Sequence, residues 1–232
     1  MKKIFVLLLL ISLSVCAEIP SQGLAIYKQT SNNHMNLPES QAAMKAFIPK
    51  FSYNLIDVLF KNNLLNPKIV PFTEGKNSSL SQPIFLNKST KIIDTQDNTL
   101  KQFGKLVGIN YLVDIKEINS VKFSDEVEII NDYECNKAIV DDTVIWYKKS
   151  STAIVPDEKY LYIPGLVVKI EGKSFSYELL ELKQQNVDDL IFNIPKDHKN
   201  ISFQQFQDLK EEALEEMMQS MGGGAKMIKV GD

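Results

Sequence analysis

Between Lys68 and Ile194 the chain is a run of short apolar, β-branched and aromatic stretches broken every few residues by polar turns: KIVPF, QPIFLN, TKIID, KLVGINYLVDI, VEIINDYECNKAIV, TVIWYKK, GLVVKI, KSFSYELLEL and DDLIFNI. Strands of this length and spacing predict an antiparallel, meander-like sheet rather than alternating βαβ units. GLAIYKQT, residues 23–30, adds a first short strand. Residues 40–60, SQAAMKAFIPKFSYNLIDVLF, read two ways. Ser40 to Phe47 carries helix formers behind a Ser cap, Pro49 interrupts any helix, and KFSYNLIDVLF has the aromatic and branched content of a strand.

The hairpin at 165–182 is introduced by Pro164 and Gly165. Strict alternation puts Leu166, Val168 and Ile170 on one face, continued after the EGK turn by Phe175, Tyr177 and Leu179, with Val167, Lys169 and Glu171 on the other. Gly172 supplies the turn geometry. Pro164 cannot donate to a central ladder, so it belongs at a strand's beginning or edge, and Gly165 permits a bend or a close backbone approach.

One helix is legible. Ser202 and Gln205 have capping-box spacing, and Phe203, Phe206, Leu209, Leu214, Met217, Met218 and Met221 recur at helical intervals opposite Glu211, Glu212, Glu215 and Glu216. Gly222 to Gly224 stop it, and its apolar face predicts packing against the sheet. The expected class is therefore α+β, mainly antiparallel β. A single domain over 18–221 fits the length of 232 residues and the 44% hydrophobic content, with a flexible tail at 222–232.

Residues 1–17, MKKIFVLLLLISLSVCA, have a Lys2-Lys3 start, an apolar run from Ile4 to Leu13 and a small-residue end, the anatomy of a secretory signal peptide. Two exits are readable. Cleavage after Ala17 leaves a soluble chain beginning at Glu18, whereas LSVC resembles a lipoprotein box in which Cys16 is lipid-modified and retained. The chain is thus expected to be exported to the periplasm or beyond, anchored at the outer membrane if Cys16 is acylated. No other run approaches the length of a transmembrane helix, so an integral membrane protein is not expected.

All 26 basic residues are Lys. Loss of Lys2 and Lys3 with the leader takes the formal net charge from −3 to −5. An acidic, Arg-free chain lacks the basic face and bidentate donors of nucleic-acid readers, so no nucleic-acid partner is expected. With Cys16 in the leader, Cys135 has no intramolecular partner, which excludes a disulfide scaffold.

Catalytic chemistry is sparse. His34 and His198 are far apart in polar, loop-like surroundings, and neither suggests a nucleophile–base pair. No CxxC, HxxxH or HExxH occurs, the acidic pairs lack calcium-loop spacing, and Met217, Met218, Met221 and Met227 fit helix packing better than copper binding. GGGAK follows a helix instead of opening one, so no phosphate loop is present. A hydrolase would have to use carboxylates alone, such as Asp114, Glu117, Glu126 and Glu128. No catalytic residue, metal or cofactor is expected.

DYECNKAIVDDTVIWYKKS, IVPDEKYLYIPGLVVKIEGKSFSYELLEL and FNIPKDHKNISFQQF together resemble the second half of the GLPGLI family of exported bacterial proteins. Tyr133, Cys135, Lys137 and Ala138 match its first block, Trp146 and Tyr147 its second, and Pro164, Gly165 and Leu166 its signature core. Tyr162, Ile163 and Val167 depart from the signature. GLAIYK and YLVDIKEINSVKFSDE are also similar to the family. The resemblance implies a curved, open half-barrel sheet similar in outline to periplasmic lipoprotein carriers, with a concave apolar groove between sheet and helix. Leu166, Val168, Ile170, Phe175 and Tyr177 would form part of the groove wall. The functional expectation is an exported, non-enzymatic protein holding a lipid or an apolar protein segment. The alternative is a structural or protein-interaction component of the envelope, with an envelope protein as partner, a fully packed interior, and an anchor at Cys16.

Overall fold

The computed structural model describes residues 18–35, 37–71, 89–115 and 120–220. The 1–17 leader with Cys16, the QPIFLN stretch, Glu117, Met221 and the 222–232 tail lie outside the described residues.

Twelve strands form one sheet, in the spatial order β12-β6-β5-β4-β3-β2-β1-β11-β10-β9-β8-β7. In chain order they are β1 (Gln22–Asn32), β2 (Phe51–Lys61), β3 (Leu64–Pro71), β4 (Thr90–Asp94), β5 (Thr99–Leu106), β6 (Ile109–Ile115), β7 (Val121–Ile130), β8 (Tyr133–Val140), β9 (Thr143–Lys149), β10 (Gly165–Glu171), β11 (Phe175–Gln184) and β12 (Lys199–Asn200). Every pairing is antiparallel except β12 with β6. The sheet is open, not closed into a barrel, and one helix, α1 (Phe203–Ser220), follows it.

Connectivity dictates that the sheet curls. In that order β6 and β7 are ten strand steps apart, which in a flat sheet is about 48 Å at roughly 4.8 Å per step. Yet Ile115 and Val121 are joined by six residue steps, which span at most about 20 Å. The two ends must therefore swing towards each other. One apolar cluster accordingly takes side chains from both halves: Val58, Phe60, Leu65, Ile93 and Leu100 from one, and Cys135, Ala138, Ile145 and Ile170 from the other.

Residues 40–60 contain both structures that their sequence suggested. A 3-10 helix covers Glu39–Ala46, and after Pro49 the central strand β2 begins. The stretches 105–115 and 127–140 are not single strands. Each folds back at a two-residue turn, Val107-Gly108 or Asn131-Asp132, whose residues all have positive φ, the signature of a type I′ hairpin. DDLIFNI is not a strand either: the Asp188 carboxylate accepts the Leu190 amide at 2.9 Å and starts a 3-10 turn over Asp189–Phe192.

The predicted capping box forms. Ser202 Oγ accepts from Gln205 N at 3.1 Å, and Gln205 Oε1 accepts from Ser202 N at 2.9 Å. The expectation that the whole apolar face of α1 lies on the sheet is not met. Among the described side chains of that face Phe206 is buried, its ring centroid 5.1 Å from that of Tyr111 on β6, with Ile201 and Leu106 beside it, while Phe203 and Leu214 face solvent.

Both sheet edges are blunted against further pairing. β12 is two residues long. β7 is irregular between Phe123 and Val127, where Ser124 Oγ accepts the Glu126 amide at 3.2 Å.

Candidate functional site

The residues that carried the family resemblance come together on three adjacent strands. Lys137 on β8 lies directly across from Trp146 on β9, and Trp146 from Lys169 on β10. The Lys137 ammonium sits 5.7 Å from the Trp146 ring centre and 2.8 Å from Glu126. Ala138 faces Ile145, Tyr147 faces Val167, and Leu166 faces Lys148. Tyr133 opens β8. Cys135 is a buried free thiol whose pKa burial pushes up to about 11, with the Lys148 charge offsetting part of the rise.

Pro164 and Gly165 have separable roles. Gly165 N–H donates to the Ile163 carbonyl at 3.0 Å, a three-residue turn centred on Pro164 whose fixed φ suits it. Gly165 has φ +139°, and a Cβ there would lie 2.0 Å from the Lys148 carbonyl oxygen and 2.8 Å from Ser150 N. Both obstacles are backbone, so only glycine lets β10 approach β9 at this corner.

The hairpin does not present the single apolar face that alternation predicted. The register slips between Val167 and Lys169: Leu166 pairs with Lys148 and Ile170 with Ile145, and residues three apart on β9 point to opposite faces. Leu166 and Ile170 are therefore on different sides. Leu166, Val167, Val168 and Ile170 are all fully buried, so both faces of β10 are covered here.

The chain's own segment 152–163 packs into the same core. β10 and β11 pair over three residues only, Lys169 to Glu171, and then fork. Ile154 enters the fork, donating its N–H to Gly165 O at 2.9 Å and accepting from Val167 N at 3.0 Å. Tyr27 of β1, fully buried, donates its hydroxyl to Val167 O at 2.9 Å, and burial holds its pKa well above the usual range. Ile154, Val155, Tyr160, Leu161 and Ile163 join the main core.

A polar chain ties this strap to the sheet. Asn54 Nδ2 donates to Gln29 Oε1 at 3.0 Å, Gln29 Nε2 to the Tyr177 hydroxyl at 2.9 Å, and Tyr177 to Asp157 Oδ2 at 3.3 Å. Asp157 Oδ1 accepts the Lys159 amide at 3.0 Å, and neighbouring Glu158 pairs with Lys91 of β4. Burial, then the charge of Glu158, raises the Asp157 pKa. Tyr160 and Tyr177 are raised by burial and by Asp157. Both Asp157 oxygens serve intramolecular bonds, so this chemistry holds a strap. Sequence reasoning missed it because Gln29, Asn54, Asp157 and Tyr177 are far apart in the chain and individually unremarkable.

The remaining sequence candidates stay dispersed. His34 Nε2 lies 2.8 Å from the Ile48 carbonyl near the β1–β2 turn, while His198 precedes the edge strand β12. Glu126 is paired with Lys137, and Asp114 and Glu128 are exposed. Among the described residues no group of three or more His, Cys, Asp or Glu side chains is placed to hold a metal ion, and no described helix is long and apolar enough to cross a membrane.

No family model matches the chain, and no curated protein matches it. Two solved structures are similar in fold. PNGF-II in the C2 space group superposes with a TM-score of 0.54 at 18% identity, covering 83% of this chain and 33% of that one. PNGF-II in the P21 space group gives 0.52 and 18%, covering 83% and 34%. The chain thus spans about a third of the length of PNGF-II, and at this identity the likeness concerns fold alone.

Proposed function

We propose that this chain is a non-enzymatic exported protein of the bacterial envelope, a divergent member of the GLPGLI family, that works through its outer surface rather than by holding a ligand inside the curved sheet. The observation carrying this reading is that Leu166, Val168 and Ile170, expected to line a groove, have no accessible surface, and that the chain's own Ile154 is laddered to β10 inside the β10–β11 fork. A ligand entering the fork beside Leu166 would first have to displace Ile154 and its two ladder bonds. The outer surface keeps unspent apolar groups on α1, Phe203 and Leu214.

The test is native mass spectrometry with lipid extraction on protein purified from its own envelope without detergent. A mass free of extra ligand, with a stoichiometric partner retained by pull-down from the envelope fraction, supports the proposal. An acyl lipid held stoichiometrically inside the sheet, opening the Ile154 ladder so that its amide exchanges fast, overturns it and favours a second reading, a carrier of a lipid or apolar protein segment. That reading draws support from the strap itself: its inward side chains are Ile154, Val155, Leu161 and Ile163, the chemistry such a ligand would have to replace.

A further inference from the structure

Hydrogen bonds cross the base of the β1–β2 connection. Asn33 N donates to Lys50 O and Asn33 Nδ2 to Pro49 O, each at 2.9 Å, Ser52 Oγ donates to Asn33 Oδ1 at 3.1 Å, and His34 Nε2 meets the Ile48 carbonyl. These bonds close the neck of the loop, yet the loop buries little of its own apolar surface. Phe47 is 85% exposed, Met35 50% and Met44 46%, and Phe51 and Tyr53 continue the same end of the sheet at 41% and 42%. A tip that leaves its largest apolar side chains in solvent presents a contact surface.

Charge says what it contacts. Although the chain is net negative, residues 33–53 are not: Lys45 and Lys50 stand against Glu39, while Lys28, further back on β1, lies across from Glu178 of β11. The Lys28 ammonium lies 4.8 Å from the Tyr53 ring centre and that of Lys50 5.2 Å from the Phe51 ring centre. Exposed apolar side chains interspersed with lysines and aromatic rings are the composition of an interfacial membrane contact. The surface is also a poor protein interface, because five side chains on a hairpin tip fall well short of the roughly 1,000 Å² that a specific complex buries. Membrane docking needs only a few inserted side chains and a basic rim.

We propose that the β1–β2 tip docks the protein on an anionic lipid bilayer, with Phe47, Met44 and Met35 entering the boundary between headgroups and acyl chains, and Lys45 and Lys50 meeting the lipid phosphates. This names a partner for the outer-surface function proposed above and rests on it. An open, ligand-filled interior would overturn that function, whereas the vesicle result bears on the bilayer partner alone.

The experiment is co-sedimentation of the chain beginning at Glu18, which lacks Cys16 and so carries no acyl chain, with phosphatidylcholine vesicles containing or lacking phosphatidylglycerol. Binding is expected to require the anionic lipid and to weaken with salt. Phe47→Asp is expected to reduce it at least about tenfold, Lys45→Glu with Lys50→Glu to abolish the preference for anionic vesicles, and Phe47→Leu to retain it. All these side chains are exposed, and an unchanged melting temperature confirms that each variant is folded. Absence of vesicle binding, equal binding to both vesicle types, or full binding by Phe47→Asp overturns the proposal.

Discussion

Replacing Gly165 by Ala tests the account of the β9–β10 corner, and its cost can be worked from the structure. Gly165 holds φ +139°, a region nearly closed to L residues, which by itself costs a side chain about 1–3 kcal/mol. The added Cβ would also sit 2.0 Å from Lys148 O, and neither that carbonyl nor Ser150 N can swing aside as a side chain would. Relief requires β9 and β10 to part at their first ladder pair, Gly165 with Lys149, and disturbs the bond from Ile154 N to Gly165 O. Two lost hydrogen bonds and disturbed packing bring the total to about 4–6 kcal/mol, near the low end of the whole stability of a domain. Gly108→Ala is the control. It also has positive φ, +75°, but a Cβ there meets nothing within 4 Å, so only the conformational cost of about 1 kcal/mol applies. Urea unfolding can be followed by Trp146, the single tryptophan, which lies across from Lys169 on β10. If Gly165→Ala falls within about 1 kcal/mol of Gly108→Ala, the steric reasoning is wrong.

Other consequences follow from single residues. Val107, a β-branched residue at φ +45° in a type I′ turn, is strained, so Val107→Asn is expected to stabilise by about 1 kcal/mol in the same unfolding assay. The Cys135 thiol, buried and raised to about 11, is expected to resist Ellman's reagent at pH 8 until the protein is unfolded in denaturant; rapid native reaction would contradict its placement. The raised Asp157 pKa has a definite sign. Its contribution to stability is fully present below the unfolded carboxyl value, about 4, and is lost as pH rises through the higher folded value. Asp157→Asn, with no proton to lose, is expected to remove that part of the fall in stability on going upward from about pH 4; identical pH slopes in parent and variant would refute it.

Much of the strand content was legible because period-2 patterns and turn residues are local signals. TKIID, TVIWYKK and GLVVKI match β4, β9 and β10 closely, and Ser202 with Gln205 placed the start of α1. Two hairpins were read as single strands because their turns use Val107 and Asn131-Asp132, where only Gly108 gives a hint of positive φ. The slip at Val168 was invisible: one extra residue changes no composition but reverses which side chains share a face. The strap carries no local signal of its role, since that role depends on meeting Tyr27, Lys91 and Tyr177, partners fixed only by the folded topology. Helical periodicity overstated the packing of α1, because it marks an apolar face without saying that anything lies against it.

The central claim is that residues 152–163 are core and not a lid over a ligand groove, and native-state hydrogen exchange of the Ile154 and Val167 amides tests it most directly. Each donates within the β10–β11 fork, Ile154 to Gly165 and Val167 to Ile154. The account predicts that both exchange only through global unfolding, as slowly as the central amides of β1 and β2, and that added fatty acid leaves their rates unchanged. Fast exchange of both amides, with protection altered by a fatty acid, would show that the strap opens and that the groove beneath it is a binding site.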